Sequence, residues 1–408
     1  MKQASWLWGS AHTHSEWSDG LESMSELSVF FKRLGMDFRF QTDHCTVKMP
    51  EGTYLRKPEV CSKDHLLVPE NFAKYLAECV SASDAEHKVI PGIELDLDYG
   101  SFELNARNHY NHILVYGFNS ADQIPPEGWF RGKNFFSAMR GLKELGLTTH
   151  LAHMNTMDFP PWQDLGQVPF DGFQVDNHFP DLDPPLECGA LKCGFWDRWL
   201  CGGRRVSIAT GCDCHQADNA GFGMRNALAV PALSEEAIFK SFREGKSYLS
   251  GTWHPDLYRE CHLRERGTYW WRLARELNRE KGRQQLEELR LRMFENDYGR
   301  VRTEDYPVLS FESEGKTMGD TIKVHPGSLA KLEIGVGMHV PVEFVDVIQD
   351  GLLMRRLQSK TGKLHEIVEL KIAGNRSYVR LQCKGSDAAG NMEYLISNPI
   401  YFKTMSAD

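Results

Sequence analysis

Residues 11–20 read Ala11-His12-Thr13-His14-Ser15-Glu16-Trp17-Ser18-Asp19-Gly20. They follow a short run with strand character, so His12 and His14, two residues apart, point to one face and both imidazoles can reach the same ion. Asp19, in the turn that follows, can add a hard oxygen ligand. Taken alone, an H-x-H pair describes two hydrogen-bonded histidines equally well. What decides the reading is that five further segments place similar groups in comparable positions. Gln41-Thr42-Asp43-His44 closes the next strand, and Pro91-Gly92-Ile93-Glu94 follows another apolar stretch. His112 opens the strand ILVYGF, His153 ends the segment Thr148–His153, and Gly211-Cys212-Asp213-Cys214-His215 puts an acid and an imidazole on one face. Sites in parallel sheets and barrels gather at strand ends, so these groups are expected to converge.

The pattern around them is that of a parallel α/β arrangement from residue 5 to about 250. Met24, Leu27, Phe30, Phe31 and Leu34 recur at helical spacing and stop at Gly35, and DFRFQT follows as a strand. Residues 113–116, 147–152 and 206–210 are further strands, with a helix at about 136–145. Ser234 with Glu235 and Glu236 opens another helix, because a hydroxyl N-cap and acidic first-turn residues suit its positive end. Residues 253–305 are different in kind, with twelve Lys or Arg and eleven Asp or Glu, and read as a helical pair in which Trp270 and Trp271 are core residues. From about 307 the period becomes two: Leu332, Ile334 and Val336 alternate with Lys331, Glu333 and Gly335, and Asp350-Gly351 and Gly390-Asn391 supply turns. This tail is expected to be a small β-sandwich of about seven strands. The expected units are therefore 1–252, 253–306 and 307–408.

Composition narrows the function. The net charge of -9 across 408 residues argues against general binding to nucleic acid or anionic membranes, and favours a small, locally captured substrate. Neither a secretory apolar core nor an eighteen-residue apolar run is present. The ten cysteines lack paired C-x2-C spacing, so reduced, cytoplasmic thiols are expected. Histidine is skewed: eleven of the 16 fall in the first 215 residues.

The ordered series H-x-H with S-D-G, T-D-H, P-G-x-E, a histidine before a strand, A-H, and G-x-D-x-H resembles the polymerase-and-histidinol-phosphatase (PHP) family of metal-dependent hydrolases. That resemblance implies a distorted (β/α)7 barrel with two or three metals at one mouth. It implies one metal on His12, His14, Glu94 and Asp213, a second shared through Glu94 with His112 and His153, and a third on Asp19, His44 and His215. The segment 172–177, the run from Gly315 to Gly319 and the ending Ser397-Asn398-Pro399-Ile400-Tyr401 are similar to the carbaryl-hydrolase-like subgroup, which implies a sandwich after the barrel. The segment 253–305 reads as an insertion in that frame. Two departures stand out: Cys212 replaces a serine, and Arg39 occupies an apolar strand position.

Imidazole and carboxylate donors suit zinc, manganese or iron better than magnesium or calcium. The cationic centre they imply attracts a small anionic substrate, and a phosphoric ester cleaved by a metal-bridged hydroxide is the expected chemistry. Carbamate, carboxylic ester or amide hydrolysis is the alternative, and a silent scaffold a second. Asp43 is expected to orient His44 or carry protons. Arg225 and Asn177 are candidate substrate contacts, each weighed against a surface or turn role. Strand position favours His112 and His153 over His109 and His150 as ligands. A homo-oligomer is compatible with all of this.

Overall fold

A computed structural model of the protein describes residues 5–20, 22–45, 65–96, 112–125, 135–152, 168–175, 186, 188–192, 194–215, 224–253 and 303–405. His153, Asn177, His109 and the segment 254–302, with Trp270 and Trp271, lie outside the described residues. Nine strands come first: β1 (Ser5–Ser10), β2 (Phe38–Gln41), β3 (Lys88–Asp96), β4 (His112–Tyr116), β5 (Thr148–Leu151), β6 (Gly172–Gln174), β7 (Ser207–Ala209), β8 (Arg225–Val230) and β9 (Ser247–Trp253). Helices α1 (Met24–Arg33), α2 (Pro69–Ala82), α3 (Phe135–Glu144), α4 (Gly189–Lys192), α5 (Phe195–Cys201) and α6 (Glu235–Glu244) lie between them.

The helix signals act as their chemistry requires. Ser23 and Glu26 form a reciprocal capping box at the start of α1, and Gly35, with φ of 72°, ends it. Met24, Leu27, Phe30 and Phe31 make its buried face. Ser234 accepts from the Ala237 amide at 3.2 Å to open α6, and Gly245 closes it with φ of 69°.

Neighbouring strands follow the order β8-β1-β2-β3-β4-β5-β6-β7. The expectation of a wholly parallel arrangement needs correction. The pairs β1–β2, β2–β3, β5–β6 and β6–β7 are parallel, but β4 is antiparallel to both β3 and β5, and β8 is antiparallel to β1. The reversal matters for the site. His112 is the first residue of β4, yet it pairs with Asp96 near the end of β3, so a histidine that opens its strand sits at the same end of the sheet as residues that close theirs. The segments that follow β1 and β7 meet: Ala11 donates to the Thr210 carbonyl and His14 to that of Cys214, both at 3.0 Å, and Thr13 and Cys214 form a parallel bridge.

One face of the run, with Phe38, Phe40, Ile90, Leu114 and Tyr116, is buried against Ile238 and Phe242 of α6. The other packs beneath the remaining helices, where Phe72, Tyr75, Val89, Ile93, Ile113, Val115 and Trp196 belong to one core. Each apolar side chain so buried contributes roughly 1.5–3 kcal/mol.

The tail has ten strands rather than about seven: β10 (Val308–Ser313), β11 (Lys316–Thr317), β12 (Thr321–Val324), β13 (Leu329–Gly337), β14 (Val342–Gln349), β15 (Leu352–Ser359), β16 (Lys363–Lys371), β17 (Arg376–Ser386), β18 (Met392–Ser397) and β19 (Ile400–Thr404). Strands β11, β10, β13 and β16 form a separate sheet, whereas β18 pairs with β9 and joins the others to the first sheet. Asp350 and Gly351, both at positive φ, make the two-residue turn between β14 and β15. Among the described residues no helix is long and apolar enough to cross a membrane.

Candidate metal centre

Eight of the nine expected ligands are described, and the fold brings all eight together. The four donors His12 Nε2, His14 Nε2, Glu94 Oε2 and Asp213 Oδ1 face one another. The two imidazole nitrogens are 2.9 Å apart, His12 lies 2.9 Å from Glu94 and 3.2 Å from Asp213, and His14 lies 3.1 and 3.0 Å from the same two oxygens. Four donors around a tetrahedral ion at about 2.0–2.1 Å are roughly 3.3 Å apart, so this spacing is close to that of an ion's cradle. Glu94 turns its other oxygen to His112, 2.6 Å from Nδ1, and His44 Nδ1 lies 3.4 Å from Oε2. A third group joins His14, His44 and His215 around Asp19. There His215 Nε2 is 3.2 Å from Asp19 Oδ2, and His44 Nε2 is 3.8 Å from Oδ1. His44 thus faces both Glu94 and Asp19, and His14 takes part in two groups.

Strand periodicity and one backbone distortion aim these groups. Glu94 shares its side of β3 with Ile90, and His112 shares its side of β4 with Leu114 and Tyr116. Asp213 has φ of 45°, a left-handed conformation uncommon outside glycine, within the close turn that presents its carboxylate. Buried Asp19 Oδ1 and His44 Nδ1 have no hydrogen-bond partner among the described residues. Orphaned buried polar atoms are costly unless something else satisfies them; His44 Nδ1 faces Glu94 while Asp19 Oδ1 faces His44 Nε2, so a cation in each of these two groups would do so.

The electrostatics agree. Burial opposes charge on Glu94, yet His12, His112 and His44 hold its pKa well below the ordinary range. Burial likewise opposes charge on Asp19, and His215 and His44 overcome it. Burial would also depress the imidazoles, but the carboxylates raise His12 and His215, and raise His14 furthest. His44 is the exception, drawn down to about 4 by burial despite Glu94 and Asp19. Without an ion, positive charge collects on imidazoles wedged between acids, where a metal would replace protons.

Residues outside the ligand set hold it in place. Gln174 on β6 donates to the Gly211 carbonyl at 3.3 Å, which leaves its Oε1 to accept from His12 Nδ1 at 2.9 Å and frees Nε2 for the cluster. Sequence reading missed it, although a glutamine in the buried strand FQVD was the available signal. Ser15 and Ser18 bind Asp43, whose carboxylate accepts four hydrogen bonds, from the Ser15 amide and hydroxyl, the Ser18 hydroxyl and Gln41 Nε2, at 2.7–2.9 Å. Asp43 is therefore corrected from a proton carrier or His44 partner to the anchor of the loop between His14 and Asp19. Arg225 is likewise corrected. It is buried, donates to the Leu34 carbonyl and to Thr303 Oγ1, and its guanidinium lies 4.3 Å from the Tyr306 ring centroid. It braces α1 against the chain entering the tail and does not face the cluster. His150 stacks on Phe242, 4.8 Å between centroids, in the layer beneath. Cys212 packs with Leu27, Phe30 and Phe31 under α1.

No protein-family model matches the chain, and no curated protein matches it. Among solved structures, a two-domain protein containing a predicted PHP-like metal-dependent phosphoesterase from Bacteroides vulgatus is 15% identical, over 97% of this chain and 96% of that one, with a TM-score of 0.45. An amidohydrolase from Chromobacterium violaceum with bound sulfate is 14% identical, over 50% of this chain and 86% of that one, with a TM-score of 0.31.

Proposed function

We propose that the protein is a metal-dependent hydrolase of the PHP family, a curled seven-strand barrel followed by a β-sandwich, that cleaves a small phosphomonoester or phosphodiester. The observation that carries this reading is Glu94, which turns one oxygen to His12 and His14 and the other to His112, as a carboxylate bridging two ions would. His12, His14, Glu94 and Asp213 would hold one ion, Glu94 and His112 with His153 a second, and Asp19, His44 and His215 a third. Nitrogen and oxygen donors in this ratio suit zinc, manganese or iron. When bound, such ions supply Lewis acidity and a water that ionises near neutral pH.

The chain itself supplies position and charge. Three carboxylates, Asp19, Glu94 and Asp213, are too few to neutralise two or three divalent ions, so the loaded centre is positive and attracts phosphoryl oxygens. His215, whose side chain is 31% exposed, marks the side from which substrate reaches the cluster. Gln174 and Asp43 keep the donors in register while a phosphorus–oxygen bond to water forms and that to the leaving alcohol breaks.

The test begins with elemental analysis of the purified protein, which should find two or three transition-metal ions per chain. Turnover is then compared on p-nitrophenyl phosphate, bis-p-nitrophenyl phosphate and 1-naphthyl N-methylcarbamate, in wild type and in His14→Ala and Asp213→Ala. Phosphoester turnover that drops at least about 100-fold in both variants is expected. Preference for the carbamate would move the assignment to the alternative chemistry. Absence of stoichiometric metal, or full activity in both variants, would refute the reading.

A further inference from the structure

Arg39 is a fully buried cation on β2 with no carboxylate within ion-pair distance among the described residues. Burial draws its pKa down only to about 10, so it stays charged at neutral pH. Its guanidinium donates to Ser28 Oγ at 2.8 Å, to the Met24 carbonyl at 2.7 Å, to His87 Nε2 at 3.1 Å and, through Nε, to Gln41 Oε1 at 3.1 Å. Residues 39, 41 and 43 alternate along one strand and its extension, so all three side chains lie on one side. Gln41 Nε2 in turn donates to Asp43 Oδ2 at 2.7 Å.

The direction of every bond in this series is forced. An arginine can only donate, so it fixes the Gln41 amide with its oxygen inward and its NH2 toward Asp43. An ionised carboxylate can only accept, so the single hydroxyl proton of Ser18 goes to Asp43 Oδ1, at 2.7 Å. The Ser18 oxygen then offers His14 Nδ1, 3.4 Å away, nothing but a lone pair. With Asp19 Oδ1 a further acceptor 3.8 Å from Nδ1, this arrangement favours the tautomer with the proton on Nδ1, which leaves Nε2 to face Glu94 and Asp213.

We propose that Arg39 is a positioning residue for the metal centre: it polarises the chain Arg39–Gln41–Asp43–Ser18 and so fixes the ring orientation and tautomer in which His14 can ligate. The use of this device rests on the metal-centre reading, while the chain itself is independent of it. It gives a function to the cation that interrupts an apolar strand, and ties α1 and β2 to the loop that carries His14 and Asp19.

The test uses the full-length protein, with zinc as the probe and chelator competition to measure affinity. Histidine-selective 15N NMR follows the Nδ1–H of His14, assigned by its loss in His14→Gln. Arg39→Met and Ser18→Ala are each expected to weaken zinc binding about 10- to 100-fold and to shift the His14 Nδ1–H signal or bring it into exchange with water. Arg39→Lys, still a donor only, should retain both readouts near wild type. Gln41→Met leaves the bonds from Arg39 to Ser28, His87 and Met24 in place and cuts the chain, so it decides the matter if Arg39→Met does not fold. Wild-type affinity with an unmoved His14 signal in Gln41→Met, or in Ser18→Ala, overturns the proposal. If wild type takes up no zinc, the metal-centre reading fails by itself, and the Nδ1–H signal in the metal-free protein still reports whether the chain exists.

Discussion

His150 lies one layer below the cluster and shows what burial does to an imidazole when the charge of Asp171 offsets it only in part. It is stacked on Phe242 and edge-on to Tyr116, both ring nitrogens lack a hydrogen bond among the described residues, and burial holds its pKa down to about 4. The unfolded chain protonates this histidine near 6.5. Between pH 6.5 and about 4 the unfolded state therefore binds a proton that the folded state refuses, so stability rises with pH in that window and falls on acidification, by up to about 1.4 kcal/mol per pH unit. Replacing it by an apolar residue removes this term. In urea titrations at pH 7 and pH 4.5, His150→Leu should lose about 2 kcal/mol less on acidification than wild type. Equal losses in the two proteins would show that His150 is not the group responsible. Strand position favoured His112 over this histidine as a ligand, but the sequence did not show the layer in which His150 is buried, because both stand in apolar strands. The same limit applies to Arg225, whose partners Leu34 and Thr303 come from distant parts of the chain.

At the scale of elements, the convergence of the His, Asp and Glu motifs was legible because each follows a local rule. An i, i+2 pair shares a face, and a residue that closes a strand in a parallel sheet lies at the mouth. The direction of β4 was not legible, since periodicity says which residues share a face and nothing about which way the strand runs. The tail was undercounted for a related reason: β11 has two residues and β12 four, too few to establish a period. Arg380 alternates with the apolar Val379 and Leu381, yet it too is buried, against Asp197 of α5. One element junction carries the site. Gly211 lies where the chain beyond β7 passes His12, and a Cβ there would stand 2.3 Å from His12 Cβ and 2.6 Å from its backbone nitrogen. Neither atom can move without displacing a ligand. Gly211→Ala should weaken metal binding at least about 10-fold and cost roughly 2 kcal/mol or more of stability. Gly146→Ala, with positive φ but open space around it, should cost about 1 kcal/mol and leave metal affinity unchanged. Metal titration calorimetry on the pair separates crowding of the ligand from backbone strain, and equal affinities would refute the junction's role.

The whole molecule joins its two halves by strand pairing. Six consecutive residue pairs connect β9 to β18, from Trp253 with Met392 to Tyr248 with Ser397, and the core of the tail takes in Ala227 and Tyr248, with Trp6 and Trp8 packed against it. Two polar locks span the seam. Arg380 makes a two-pronged pair with Asp197 at 2.8 and 2.7 Å, with Tyr378 donating to the same carboxylate at 2.7 Å. The Asn398 side chain bonds both the amide and the carbonyl of Ile208 in β7, at 2.8 and 3.1 Å, and also Ser247 Oγ. Neither half can open without exposing a long sheet edge and unpaired polar groups of the other. Unfolding should therefore be a single transition, with tryptophan fluorescence, far-ultraviolet circular dichroism and loss of bound metal coinciding in temperature. Arg380→Met leaves the partly buried Asp197 carboxylate, 15% exposed, without its cation and with only Tyr378 donating, and should cost about 1.5–3 kcal/mol. Because the seam belongs to both halves, that loss should lower the whole transition without splitting it. Two resolved calorimetric peaks, in wild type or in the variant, would mean that the metal-bearing half folds independently of the tail. Coincident loss would mean that the tail, which offers none of the expected ligands, holds the metal site together through Ile208 and the strand that leads to Asp213.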